Sequence, residues 1–108
     1  MPIDPPRPIL AYFEADQGDR GAIADCFTDE ATVTDEGNTH HGRSAIRDWK
    51  TASSKKYSYT IEPFSVDEIG GKTVVTAHVV GNFPGSPIDL RYFFLLEHDK
   101  IASLEIKI

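Results

Sequence analysis

The chain has 108 residues, 40% hydrophobic and 26% charged, with 17 acidic against 11 basic side chains and a net charge of −6. That length suits one domain, residues 1–108, with a single core; no run nears the ~18 apolar residues of a membrane span, and the acidic balance excludes nucleic acid as a partner. The lone cysteine, Cys26, cannot form an internal disulfide, and the N-terminus lacks the regions of a signal peptide, so a cytoplasmic location is expected.

Residues 1–6 are proline-rich and read as an extended lead-in, because proline denies the backbone donors that a helix needs. A first helix begins near Pro8, with Ile9, Leu10, Tyr12 and Phe13 at helical spacing, Glu14, Asp16 and Gln17 polar, and Gly18 as its stop. Asp19 is placed to cap a second helix, in which Ile23 and Phe27 fall four apart and Ala22 and Cys26 lie beside them. Two short helices therefore precede any strand.

Ala31 to Asp35 is β-branched and reads as a short strand, and Gly37-Asn38 as a turn. A third helix is predicted from about Ser44, its cap, to Ser54, with Ala45, Ile46 and Trp49 on one face. From Tyr57 the period becomes two. Tyr57, Tyr59 and Ile61 alternate with polar residues, and Gly70-Gly71 marks a hairpin. Strands are predicted at Thr73 to Phe83, Ile88 to Glu97 and Ile101 to Ile108, with turns at Pro84-Gly85-Ser86-Pro87 and His98-Asp99-Lys100. Helices first and an antiparallel meander afterwards make an α+β fold. The long strands carry apolar residues on both faces, which implies helices and a pocket on one side and a partner subunit on the other.

Gly18-Asp19, Phe27-Thr28-Asp29-Glu30-Ala31-Thr32-Val33, Gly42 with Ala45-Ile46-Arg47, and the closing meander resemble the nuclear-transport-factor-2-like superfamily, especially its SnoaL-like polyketide-cyclase and ketosteroid-isomerase branches. The resemblance implies a cone-shaped fold, three N-terminal helices packed on a curved, mainly antiparallel sheet, and a homodimer. It also places Asp35 where the isomerase branch carries its general base, a carboxylate that moves a proton next to a carbonyl group. The isomerases hold the developing oxyanion with a helix-one tyrosine and a protonated aspartate; an ungapped reading puts Ala11 and Phe94 at those positions, with Tyr12 one residue from the first.

Asp35 is thus the candidate catalytic residue, either a base in an apolar cup or a loop-edge carboxylate paired with local amides, Arg43, Arg47 or Arg91. Trp49, Tyr59, Val79, Tyr92 and Phe94 are the expected cup walls, with Tyr12 as a further ligand contact and His41 at the mouth. His40-His41 has no other Cys or His at ligand spacing, so neither a metal nor a cofactor is expected. His78 reads as a hydrogen-bonded interface histidine, and Cys26 as a small buried apolar residue. The first functional reading is a cofactor-independent isomerase or cyclase acting on a small hydrophobic carbonyl compound. The alternative, suggested by the missing oxyanion donors and the lack of a second clear acid, is a non-catalytic dimeric small-ligand-binding module.

Overall fold

The computed structural model describes residues 5–18 and 20–108. Helix α1 spans Arg7–Gln17 and a 3-10 helix Arg20–Cys26; strands β1 (Phe27–Asp35) and β2 (Asn38–His41) precede helix α2 (Arg43–Lys56). Strands β3 (Tyr59–Ile69), β4 (Lys72–Gly81), β5 (Ile88–Glu97) and β6 (Lys100–Lys107) complete the chain. The lead-in expected over residues 1–6 falls mostly on residues 1–4, and the expected cap on Asp19; both lie outside the described residues.

The six strands form one sheet in the order β2-β1-β6-β5-β4-β3. Every pairing is antiparallel except β1 with β6, which run parallel. This α+β arrangement matches the expected class, but it has two α-helices instead of three. The expected second helix is a 3-10 helix of seven residues, and Phe27 leaves it to pair with Ile101 of β6. Phe27 and β-branched Thr28, side chains that suit a pleated surface, start β1 ahead of the expected Ala31. The histidine pair His40-His41 lies in β2, a strand not expected from the sequence, joined to β1 by a hairpin turn at Glu36 (φ 52°) and Gly37 (φ 79°).

Both helices present one apolar stripe to the inner face of the sheet. On α1 the buried residues are Ile9, Tyr12, Phe13 and Asp16, at helical spacing. On α2 they are Ile46, Trp49 and Lys50. Gly42 (φ 88°), not Ser44, opens α2; its carbonyl accepts the Ile46 amide at 3.0 Å and its own amide donates to Ala31 at 2.8 Å. Positive φ at that junction suits glycine and turns the chain from β2 back across β1. Tyr12, Phe13, Phe27, Tyr92 and Phe94 form a mainly edge-to-face aromatic cluster between α1 and the sheet, with ring centroids 5.1 to 6.3 Å apart and Tyr92 stacked on Phe94. Extra residues at Phe64 in β3 and Ala102 in β6 shift the register and bend the sheet around the helices.

Gly81 ends β4 against β3, and a Cβ there would meet the Ser58 carbonyl and lie 2.6 Å from the Tyr59 Cβ. Because backbone is the obstacle, Gly81→Ala is expected to lower the unfolding free energy by about 2 kcal/mol, read from urea titration.

Candidate functional site

Between the helices and the inner face of the sheet lies a cavity of about 570 Å³. Ile61 of β3, Val79 of β4, Ile88 and Leu90 of β5 and Ile106 of β6 give it an aliphatic wall, each from the inward set of its strand's alternation. Tyr57, Phe83 and Pro84 stand where β4 turns toward β5, with the Tyr57 and Phe83 rings 6.1 Å apart.

Asp35 reaches this space because Ala31, Val33 and Asp35 share the inward face of β1, the first two fully buried and the third half-buried at the strand end. Trp49, one turn beyond Ile46 on α2, donates its indole N–H to Asp35 Oδ2 at 3.1 Å. None of the three arginines considered as partners holds Asp35. Arg43 pairs with Asp29 and donates from Nε to the Phe27 carbonyl, Arg91 donates to the Ile108 carbonyl, and Arg47 is exposed.

A second polar group was not anticipated. Lys50 Nζ lies 2.8 Å from Asp16 Oδ1, the side chains being 5% and 0% exposed. The Tyr59 hydroxyl donates to Asp16 Oδ1 at 3.0 Å and accepts from Lys50 Nζ at 3.2 Å, closing a triangle of α1, α2 and β3. The Lys50 nitrogen also stands 4.4 Å from the Trp49 ring centre and 5.9 Å from those of Tyr12 and Tyr59. Asp16 is therefore a second carboxylate at the cavity, held in an ion pair. Its signal was its place seven residues after Ile9 and four after Tyr12, on the apolar stripe of α1; Lys50 has the matching place four after Ile46.

Burial holds the Tyr12 and Tyr92 phenols protonated far above the usual range, and the nearby charges of Asp16 and then of Asp35 push in the same direction. Both rings line the cavity, so it carries neutral hydroxyl groups near two carboxylates. Of the residues expected at the site, Tyr12, Asp35, Trp49, Tyr59, Val79 and Tyr92 come together there. Phe94 and His41 do not. Phe94, fully buried, stacks on Tyr92 within the aromatic core, and His41 pairs at 3.1 Å with Glu30 on the exposed β2 side. Glu36 is exposed yet borders the cavity, because the hairpin turn breaks the strand alternation.

Outside the cavity, His78 pairs with Asp89 at 2.7 Å on the outer face of the sheet. Cys26 is half-buried, and partial desolvation raises its thiol. No described helix is long and apolar enough to cross a membrane, and no group of three or more metal-ligating side chains occurs among the described residues.

The family model of the SnoaL-like domain matches residues 9–104. The chain belongs to the SnoaL-like family. A proposed polyketide cyclase from Sinorhizobium meliloti is 41% identical, with 99% of each chain covered and a TM-score of 0.91. A hypothetical protein of ketosteroid-isomerase-like fold from Catenulispora acidiphila, solved with trimethylamine, is 19% identical over 97% of this chain and 87% of its own, with a TM-score of 0.84; it shows the fold alone. The epoxide hydrolase/cyclase-like enzyme SalBIII, of pyran ring formation in salinomycin, is 25% identical over 92% of this chain and 85% of its own, with a TM-score of 0.75. No curated protein matches the chain in sequence. This SnoaL-like chain thus has the superfamily's curved sheet, with a cavity beneath the helices.

The buried phenols set an alkaline limit. Tyr12 and Tyr92 keep their protons when folded, whereas the unfolded chain releases them near the ordinary tyrosine value of 10.0. The folded state then binds more protons, so stability is full below that pH and falls as pH rises above it. Tyrosinate absorbance is expected to appear together with unfolding, and Tyr92→Phe to flatten the decline.

Proposed function

We propose that the protein is a cofactor-independent small-molecule enzyme of the isomerase or cyclase type, with Asp35 as the base. Asp35 takes a proton from the carbon beside a carbonyl group and returns it elsewhere on the substrate. The placement of Asp35 carries this reading: a half-buried carboxylate in an otherwise largely apolar cavity, with Trp49 fixing one oxygen and no other described partner on the group. Likeness to a proposed polyketide cyclase and to a cyclase-like enzyme supports it. Tyr12 and Tyr92 supply neutral hydroxyl donors for the charge that develops on the carbonyl oxygen, a role for which the ungapped sequence reading found no candidates. The aliphatic and aromatic wall selects a hydrophobic or aromatic carbonyl compound.

The second reading, a binding module without chemistry, draws on the pairing of both carboxylates, Asp35 with Trp49 and Asp16 with Lys50. Either reading takes the chain as a homodimer in the cytoplasm. Val80 and Leu95 stand 44% and 41% exposed on the outer face, opposite buried Val79 and Phe94, and a second copy would cover them.

Trp49 is the chain's one tryptophan and borders the cavity, so its fluorescence reports ligand entry directly. Over a panel of enones and polyketide-like ketones, Asp35→Asn is expected to retain ligand quenching while turnover falls about 10²-fold or more. Unchanged turnover would remove Asp35 as the base and leave the binding module. Light scattering on a sizing column is expected to give twice the 12.0 kDa chain mass; a species of one chain mass would refute the dimer.

A further inference from the structure

Proton transfer at Asp35 leaves the Asp16–Lys50–Tyr59 triangle without a chemical task. We propose that Lys50 is a nucleophilic amine that captures aldehydes or ketones entering the cavity as iminium adducts, with Asp16 and Tyr59 relaying the protons. The proposal goes beyond the role given to Asp35 and does not depend on it.

Lysine is seldom buried without a specific partner. Here the side chain is 5% exposed, and it borders a cavity large enough for a ligand instead of lying in solid core. Its ammonium has three donors. Asp16 and Tyr59 take two of them, at 2.8 and 3.2 Å, which leaves the third for a ligand oxygen. The Trp49, Tyr12 and Tyr59 rings around the nitrogen stabilise a cation there, and an iminium is a cation centred on the same atom.

The chemistry balances within this triangle. Asp16 Oδ1 accepts a proton from Lys50 Nζ, exchanging two buried charges for two neutral partners, a change that expulsion of water by an apolar ligand favours. The free amine then attacks the carbonyl carbon. The C–N bond forms, the π pair moves to oxygen, and a proton passes from nitrogen to that oxygen by way of the Tyr59 hydroxyl, giving a carbinolamine. Asp16 returns its proton to the carbinolamine hydroxyl, the C–O bond breaks and water leaves. The nitrogen lone pair closes the C=N bond, and the Asp16 carboxylate is restored as counter-ion to the iminium. Nothing is oxidised or reduced. The cavity wall restricts the ligand to aldehydes or ketones with an aromatic or branched apolar body.

Reductive trapping tests this. The full chain is incubated with cinnamaldehyde and sodium cyanoborohydride at neutral pH, and adducts are located by peptide mass spectrometry. The expected result is one saturable adduct on Lys50, formed about tenfold faster than on exposed Lys55, Lys56 and Lys100. Tyr59→Phe is expected to slow labelling of Lys50 by about tenfold while the exposed lysines react at unchanged rates, a contrast that loss of folding would not give. Lys50→Arg, which keeps the charge beside Asp16, is expected to label only at exposed lysines. Even labelling of all lysines in the unsubstituted chain would overturn the proposal, as would full-rate labelling of Lys50 in Tyr59→Phe. Failure here would leave the role of Asp35 standing, and unchanged turnover in Asp35→Asn would leave the adduct standing.

Discussion

The buried ion pair between Asp16 and Lys50 is the constraint around which the rest of the interior is arranged. Removing two charges from water costs several kcal/mol each, and only close geometry with further hydrogen bonds recovers it. The Tyr59 hydroxyl bonds to both partners, so α1, α2 and β3 meet at one polar point inside a largely apolar interior. A hydrophobic contact tolerates sliding; this triangle of 2.8 to 3.2 Å distances does not. It fixes how the two helices lie over the sheet, and so where the cavity opens.

Around that point the remaining walls follow from simple alternation. Val79, Leu90 and Ile106 face inward because each is one step from an outward neighbour on its strand, and the bulges in β3 and β6 curl that apolar face around the helices. The aromatic cluster of Tyr12, Phe13, Phe27 and Phe94 packs the rest of the space between α1 and the sheet. Space is left toward Asp35, where the β1 strand end, the Trp49 indole and the hairpin turn meet. The cavity of this chain therefore offers two chemically distinct poles. One is a carboxylate held by a neutral donor, the other a carboxylate held by an amine.

The outer face of the sheet has a different character. His78 and Asp89 pair there among Val80 and Leu95, so polar and apolar positions mix, as on a surface intermediate between solvent and core. One sheet face is committed to the cavity and core, which leaves the outer face as the one available to a second chain.

Much of this was legible in the sequence. Period-two alternation from Tyr57 onward, the Gly70-Gly71 turn, and the stripes Ile9-Tyr12-Phe13 and Ile46-Trp49 determined the α+β order and the inward residues, because those patterns are local and repeat along the chain, whereas Asp35 became a candidate through the resemblance to the isomerase branch. Local pattern failed where long-range pairing decided. Phe27 joined a strand once Ile101 lay beside it, and His41 turned to Glu30 once β2 paired with β1. Phe94, two residues beyond Tyr92 on the same face, packs against Tyr12 and Phe13 in the core, while Tyr92 borders the cavity. Only the tertiary structure joined Asp16, Lys50 and Tyr59, since residues 43 positions apart share a hydrogen bond only when two helices and a strand have been packed together. Hydrophobic spacing says which face a charged side chain occupies, and the fold alone says which opposite charge meets it there.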